Sequence, residues 1–134
     1  MAYMQWGESL SVGVKEIDDQ HKQLVGIINR AFEAKERNAP KKECSKILNE
    51  LIEFVRVHFS TEENYFEEFK YPGVKEHILK HLEIIEKVMN LNNKFNAGEP
   101  LGFECIDLLK NWFEEHLKIE DKKYASFLKQ AGAK

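Results

Sequence analysis

The chain has 134 residues, of which 43% are hydrophobic and 32% charged, and its formal net charge is −3. This size and composition predict one globular domain over residues 1–134, and the mild acidity without any basic run argues against a nucleic-acid partner. No apolar stretch approaches the roughly 18 residues of a membrane span, and the N-terminus lacks a secretory signal pattern. No membrane partner is therefore expected. The two cysteines, Cys44 and Cys105, cannot form a disulfide framework, which is consistent with a reducing cytoplasmic setting, and a cytoplasmic protein is expected.

The first predicted elements are an N-terminal arm and a helix. Residues 1–17 have no helical periodicity and predict an ordered arm anchored by Trp6. A first helix is predicted from about Asp18 to Glu36, with Asp18 or Asp19 as its N-cap. His21 lies on its apolar stripe, whose other members are Leu24, Val25, Ile28, Ala31 and Phe32.

The second and third predicted helices are separated by Tyr71-Pro72-Gly73. The second runs from about Lys41 to Phe69 and carries His58 and Glu62 in the middle of its apolar face. That face comprises Ile47, Leu51, Phe54, Val55, Tyr65, Phe66 and Phe69. The third runs from about Val74 to Phe95, and its apolar positions Ile78, Ile84, Ile85, Val88 and Leu91 surround His77 and His81.

The fourth helix is predicted to start near Leu101, and a short C-terminal piece follows it. Its inward positions are Cys105, Leu108, Leu109, Trp112, His116 and Ile119, and the final piece carries Tyr124, Phe127 and Leu128. Four amphipathic helices with short loops predict an all-α fold, an up-down-up-down antiparallel four-helix bundle with an N-terminal arm.

The inward faces carry all five histidines of the chain. Residues four apart on a helix share a face, so His58 pairs with Glu62 and His77 with His81. Taken singly, His21 is compatible with a surface histidine, and His116 with a cation near a helix C-terminus. Five imidazoles converging in one apolar interior need partners for their ring nitrogens, and metal ions supply them.

The carboxylate of the fourth helix is left open by spacing alone. Glu120 stands four residues after His116, whereas Asp121 stands five after it, about 140° around an α-helix. Periodicity therefore slightly favours Glu120 over Asp121.

The ligand set also indicates the metal. Five imidazoles exceed the need of one tetrahedral zinc, and oxygen-rich magnesium or calcium sites do not use them. Two six-coordinate irons offer about twelve positions. Five histidines, two bridging carboxylates and one bridging oxygen fill all but one of these. A single open position suits a small diatomic gas.

The motifs resemble the hemerythrin family, specifically its single-domain bacterial members, over nearly the whole chain. The matching residues are Trp6, Val12-Gly13-Val14, Ile17-Asp18-Asp19-Gln20-His21, His58-Phe59-x-x-Glu62-Glu63, Tyr71-Pro72, His77-x-x-x-His81, Trp112-x-x-x-His116 and Asp121. Two positions depart from the family pattern. Phe113 stands where leucine is common at the oxygen pocket, and Phe66 stands where methionine is common. The sequence therefore leaves the volume of the oxygen pocket undecided. The alternative, at least equally supported, is that Phe113 and Phe66 only repack the core.

The resemblance implies two iron ions with an oxo or hydroxo bridge, and O2 as the ligand. One iron is held by His77, His81 and His116. The other is held by His21 and His58 and keeps the open position. Glu62 and Asp121 bridge the two irons, so the resemblance chooses Asp121, with the fourth helix loosening or ending near Ile119.

The implied function is reversible O2 binding for storage, delivery or scavenging, without enzymatic turnover. The alternatives are an oxygen- or redox-sensing module, or a di-iron oxidase or an enzyme that consumes peroxide or NO. Di-iron oxidases of the ferritin-like kind use about four carboxylates and two histidines, so two carboxylates with five histidines favour binding. The sequence indicates neither a physiological reductant nor a signalling partner.

Overall fold

The computed structural model describes residues 3–98 and 103–133, and for residues 103–105 it describes the backbone alone. A short 3-10 helix, Glu8–Leu10, lies in the N-terminal arm. The helices that follow in this part of the chain are α1 Lys15–Glu36, α2 Lys41–Phe69, α3 Val74–Asn96, α4 Phe103–Glu115 and α5 Asp121–Gln130. A π-helical turn, His116–Glu120, joins α4 to α5. These three segments form one continuous helical rod, which we call the fourth rod, α1, α2 and α3 being the first three.

The rods form the predicted antiparallel four-helix bundle. α1 packs against α2 and α4, α2 packs against α3, and the π-helical turn contacts α3. The all-α prediction and its up-down-up-down arrangement are confirmed. None of the helices in the described ranges combines the length and apolarity needed to cross a bilayer.

The core consists of two groups of buried apolar side chains at the two ends of the bundle. The large cluster includes Leu24, Ile28, Leu48, Leu51, Val55, Phe59, Ile84, Val88, Phe95, Ile106, Leu109, Phe113 and Leu117. The small cluster comprises Val12, Val14, Ile17, Phe66, Tyr124, Leu128 and Ala133.

The bounds of α2 match the prediction because its flanking residues stop the helix on both sides. Pro40 precedes the first turn with an extended backbone. At the other end Lys70 adopts the left-handed conformation at φ 54°, and the Tyr71 N–H donates to the Phe66 carbonyl at 2.9 Å. Pro72 then prevents any continuation.

The start of α1 differs from the prediction, because the helix begins at Lys15 rather than at Asp18. The Asp18 side chain does not cap the helix. Its carboxylate accepts hydrogen bonds from the Ser11 hydroxyl at 2.6 Å and from the Val12 N–H at 2.8 Å. The Asp18 carboxylate, which was predicted to cap the helix, therefore binds the arm to the first turn of α1.

From residue 3 onward the predicted arm is present, but Met4 anchors it more deeply than Trp6. Met4 is buried, and its backbone N–H and carbonyl both bond to the Asn29 amide, at 2.6 and 2.8 Å. Trp6 is only half-buried. Both bonds to one side chain fix the arm along α1.

Two apolar positions predicted to face inward on the fourth rod are wrong. Leu108 and Ile119 are exposed, and Ile106, Leu109, Phe113 and Leu117 fill the core instead. Ile119 lies in the π-helical turn, where the spacing of inward positions changes, so the α-helical stripe does not continue to it. Leu108 lies before this turn, and its neighbour Leu109 takes the inward position instead. Cys44 is a buried free thiol, whereas the Cys105 side chain and the predicted start near Leu101 lie outside what the structure describes.

Candidate metal centre

The candidate site lies between the two apolar clusters, and every rod contributes to it. α1 supplies His21, α2 supplies His58 and Glu62, α3 supplies His77 and His81, and the fourth rod supplies His116 and Asp121. All seven side chains are buried, with exposures of 0 to 4%. The structure thus brings together all seven residues that the sequence and the resemblance single out.

The ligand atoms of these residues form two groups that share both carboxylates. In each group the atoms lie within 4.8 Å of one another. We call the group of Glu62, His77, His81, His116 and Asp121 the three-histidine subsite. The group of His21, His58, Glu62 and Asp121 is the two-histidine subsite.

Each histidine Nε2 points at a shared carboxylate. Oδ1 of Asp121 lies 3.0 Å from Nε2 of both His77 and His116, and its Oδ2 lies 3.2 Å from His21 Nε2. Oε1 of Glu62 lies 3.0 Å from His81 Nε2 and 3.5 Å from His58 Nε2. Each carboxylate therefore faces histidines of both subsites.

The π-helical turn explains why Asp121 rather than Glu120 reaches the site. The Asp121 N–H donates to the His116 carbonyl, five residues back, so this turn is one residue wider than an α-turn. The wider turn places the fifth residue over the first, and the Asp121 side chain points inward. Glu120 belongs to neither group of ligand atoms and instead pairs with Lys123 at 3.1 Å.

The inward nitrogens do not make hydrogen bonds within the described part of the chain. Nε2 of all five histidines is buried without a hydrogen-bond partner, as are Oε1 of Glu62 and both Asp121 oxygens. Each such group costs about 1–3 kcal/mol when left unsatisfied. Two ligand atoms at right angles on one metal ion, each roughly 2.1 Å from it, lie about 3 Å apart. The shortest distances between histidine Nε2 atoms and carboxylate oxygens in this site are also 3.0 Å. The donor set fits two metal ions.

The outward nitrogens of two of these histidines have partners that sequence reasoning missed. Nδ1 of His81 donates to the Glu63 carboxylate at 3.0 Å, and Nδ1 of His58 donates to the Gln20 amide oxygen at 2.6 Å. Both bonds leave Nε2 unprotonated and directed at the site. The only sequence signal was adjacency, because Gln20 precedes a histidine of the cluster and Glu63 follows Glu62.

Tyr124 is a third partner, and it holds one of the shared carboxylates. Its hydroxyl donates to Oε2 of Glu62 in the buried interior. Burial and the nearby carboxylates raise the pKa of Tyr124 well above its usual range, so the hydroxyl keeps its proton. The bond directs the other oxygen of Glu62 towards His58 and His81.

Aromatic rings enclose the histidines. Phe59 stacks on His81 with ring centroids 3.7 Å apart, Phe54 stacks on His58 at 5.8 Å, and the edge of Phe66 meets His77 at 5.0 Å. Trp6 of the arm lies 6.4 Å from His21. Burial lowers the pKa of His58 to about 4, so its ring is neutral near pH 7 and keeps a free lone pair for a metal.

The comparisons with known proteins agree with this arrangement. A family model described as the hemerythrin HHE cation binding domain matches residues 12–128. A bacteriohemerythrin from Pseudomonas aeruginosa is 29% identical over 131 residues, covering 98% of this chain and 85% of that protein. Myohemerythrin from Sipunculus nudus is 35% identical over 120 residues, covering 89% of this chain and 88% of that protein.

Solved structures show the same likeness. A wild-type hemerythrin has a TM-score of 0.87 at 27% identity, covering 95% of this chain and 98% of that chain. A hemerythrin variant with one leucine replaced by tyrosine has a TM-score of 0.88 at 28% identity, covering 96% and 98%. With the family match spanning most of its length and the same fold, this chain belongs to the hemerythrin family.

Proposed function

We propose that this protein binds O2 reversibly at a non-haem di-iron centre. The observation that carries the proposal is the convergence of five buried, unbonded Nε2 atoms on two shared carboxylates. The family to which the chain belongs is known for O2 binding at a di-iron site, which supports the choice of iron.

The proposed ligands divide between the subsites as the geometry groups them. His77, His81 and His116 hold one iron, and His21 and His58 hold the other. Glu62 and Asp121 bridge the two. Because the two-histidine subsite offers one imidazole fewer, an iron held there would keep the open position, and the iron pair would supply the electrons that bind O2.

The chain contributes geometry and dryness. Gln20 and Glu63 hold two histidine rings in the tautomer that presents Nε2, and Tyr124 fixes the bridging Glu62. The aromatic enclosure keeps water from the site, because water or anions at an open position promote irreversible oxidation. These roles favour binding over turnover, and no second buried acid–base pair accompanies the cluster in the described ranges.

The experiment begins with metal content. We expect two irons per chain and the visible bands of an oxo-bridged diferric pair in the oxidised protein. The anaerobic diferrous protein should form a coloured complex in air and lose it under vacuum. Zinc or a single iron would contradict the centre itself. Rapid irreversible oxidation, or steady consumption of O2 or peroxide with a reductant, would contradict reversible binding and point to an enzyme.

A matched variant tests the assignment of the second subsite. His58→Ala removes one proposed ligand from the two-histidine subsite and should lower the iron content to about one per chain. His58→Gln keeps a polar side chain of similar reach without an imidazole nitrogen, and serves as the comparison. Retention of two irons in both variants would exclude His58 as a ligand.

A further inference from the structure

The two subsites differ in the charge of the group behind one histidine each. On α3, His81 donates through Nδ1 to the carboxylate of Glu63 at 3.0 Å. At the two-histidine subsite, His58 donates through the same ring atom to the neutral amide of Gln20 at 2.6 Å. The ring atom and the tautomer are the same, whereas the acceptor is a charged carboxylate for His81 and a neutral amide for His58.

The Gln20 amide is fixed as an acceptor by a chain of hydrogen bonds. The Thr61 hydroxyl donates to the Val57 carbonyl at 3.1 Å, so its oxygen is free to accept from the Gln20 NH2 group at 3.2 Å. The Gln20 oxygen is then left to face His58. The partner of His58 is therefore the neutral amide oxygen of Gln20. The bond to Thr61 prevents this amide from exchanging the positions of its oxygen and its NH2 group.

Glu63 is placed so that its charge acts on the interior. Its side chain is 37% exposed, whereas that of His81 is 1% exposed and stacked on Phe59. The carboxylate thus reaches from solvent to the core, and its bonded partner lies in a region of weak screening. A carboxylate on the outer nitrogen of an imidazole raises the basicity of the inner nitrogen.

Building on the proposed di-iron function, we infer that Glu63 makes the iron of the three-histidine subsite the more readily oxidised of the two. A more basic His81 stabilises the ferric state over the ferrous state, and outer hydrogen bonds are a recognised control of iron potentials. His58 receives no such charge. The open position is proposed on the other iron. Glu63 therefore favours the ferric state of the iron that does not contact the gas. It is a positioning residue, acting through His81.

The test compares Glu63→Gln with wild type and with Glu67→Gln. Glu67 is an exposed residue one turn further along α2, so its substitution removes the same charge without touching a histidine of the site. We expect Glu63→Gln to shift the ferric–ferrous equilibrium about tenfold towards ferrous iron, or about 59 mV for a one-electron couple. The midpoint potential is measured by spectroelectrochemistry, together with iron content.

The double variant Gln20→Glu, Glu63→Gln moves the charge from one subsite to the other. In half-oxidised wild-type protein, Mössbauer spectra should place the ferric ion in the three-histidine environment. In the double variant they should place it in the two-histidine environment.

The outcomes separate this inference from the function on which it rests. Two irons in every variant, with a potential that is raised in Glu63→Gln but not in Glu67→Gln, supports the inference. Equal potentials in Glu63→Gln and Glu67→Gln, or an unmoved ferric ion, overturns it and leaves O2 binding intact. If Glu63→Gln fails to keep two irons, Gln20→Glu alone decides, because an unchanged potential there overturns the inference. Wild-type protein without an iron pair defeats both proposals.

Discussion

At the scale of single residues, Tyr124 is the clearest case of a side chain that acts on the site without joining it. Its hydroxyl is the described hydrogen-bond partner of Oε2 of Glu62, and both residues are fully buried. Tyr124→Phe removes the donor and leaves a buried carboxylate oxygen unsatisfied, at a cost of about 1–3 kcal/mol. We expect a lower free energy of unfolding and iron loss to a chelator faster by about 10- to 100-fold.

The control for this prediction is Tyr71→Phe. Tyr71 packs on Tyr124 with ring centroids 6.3 Å apart but has no described bond to either carboxylate. Chelation kinetics followed by the loss of the visible bands should be unchanged in Tyr71→Phe. Equal kinetics in wild type and Tyr124→Phe would show that Glu62 does not depend on this bond.

Phe113 carries a second prediction at this scale. It is 1% exposed in the large cluster, and the family pattern expects a leucine facing the oxygen pocket at its position. Phe113→Leu should enlarge the pocket, so that O2 dissociation and autoxidation both become faster. Removing part of a buried ring should also destabilise the fold by about 1–3 kcal/mol. Stopped-flow oxygen release and the rate of autoxidation measure the effect.

Phe95→Leu is the matched control for the pocket. Phe95 belongs to the same cluster and is also buried, but it lies fourteen residues after His81, about 21 Å along α3. It should lose stability with unchanged oxygen kinetics. If both variants behave alike, the effect of Phe113 is one of core packing alone.

At the scale of elements, the π-helical turn decides which carboxylate serves the site. Asp121→Asn keeps the shape of the side chain but removes the charge that faces both subsites, so we expect iron content to fall from two to below one. Glu120→Gln removes a charge that faces Lys123 outside the bundle and should leave two irons bound. Iron per chain by elemental analysis checks both. Loss of iron in Glu120→Gln would contradict the assignment.

The same turn marks the limit of what the sequence could predict about the fold. The bounds of α2 followed from Pro40 and Pro72, because proline acts on the local backbone. The widened turn does not follow from any single residue in His116–Glu120. It depends on tertiary packing that an α-helical period cannot represent, so Ile119 was predicted inward and is exposed.

The candidate site, like the fold, could be predicted only in part from the sequence. A spacing of four residues brings His77 to His81 and His58 to Glu62, and helical periodicity is sufficient to predict those pairs. The outer partners Gln20 and Glu63 come from neighbouring positions on helices whose rotation is set only by assembly of the bundle. No local pattern predicts that Gln20 of α1 meets His58 of α2.

At the scale of the whole molecule, the candidate site is a polar layer that separates two apolar clusters. Along α1 the order is Ile17, His21 and Leu24, and along α3 it is Val74, His77, His81 and Ile84. The fourth rod runs from Phe113 through His116 and Asp121 to Tyr124. Among the described side chains, the small cluster is therefore separate from the large one, and the residues of the layer lie between the two.

Removal of the metal should therefore loosen the molecule unevenly. Without ions the layer contains two buried carboxylates and five imidazoles with unsatisfied nitrogens, an arrangement that destabilises its surroundings. The small cluster, with seven buried members in the described ranges, has less apolar burial to compensate than the large one. We expect hydrogen exchange of the metal-free protein to rise most in α5 and residues 12–17, and least around Leu48, Leu51 and Val88. Re-addition of ferrous iron under anaerobic conditions should restore protection at the small-cluster end. A uniform rise along all four rods would mean that the layer supports the whole bundle cooperatively, and that the two ends do not unfold separately.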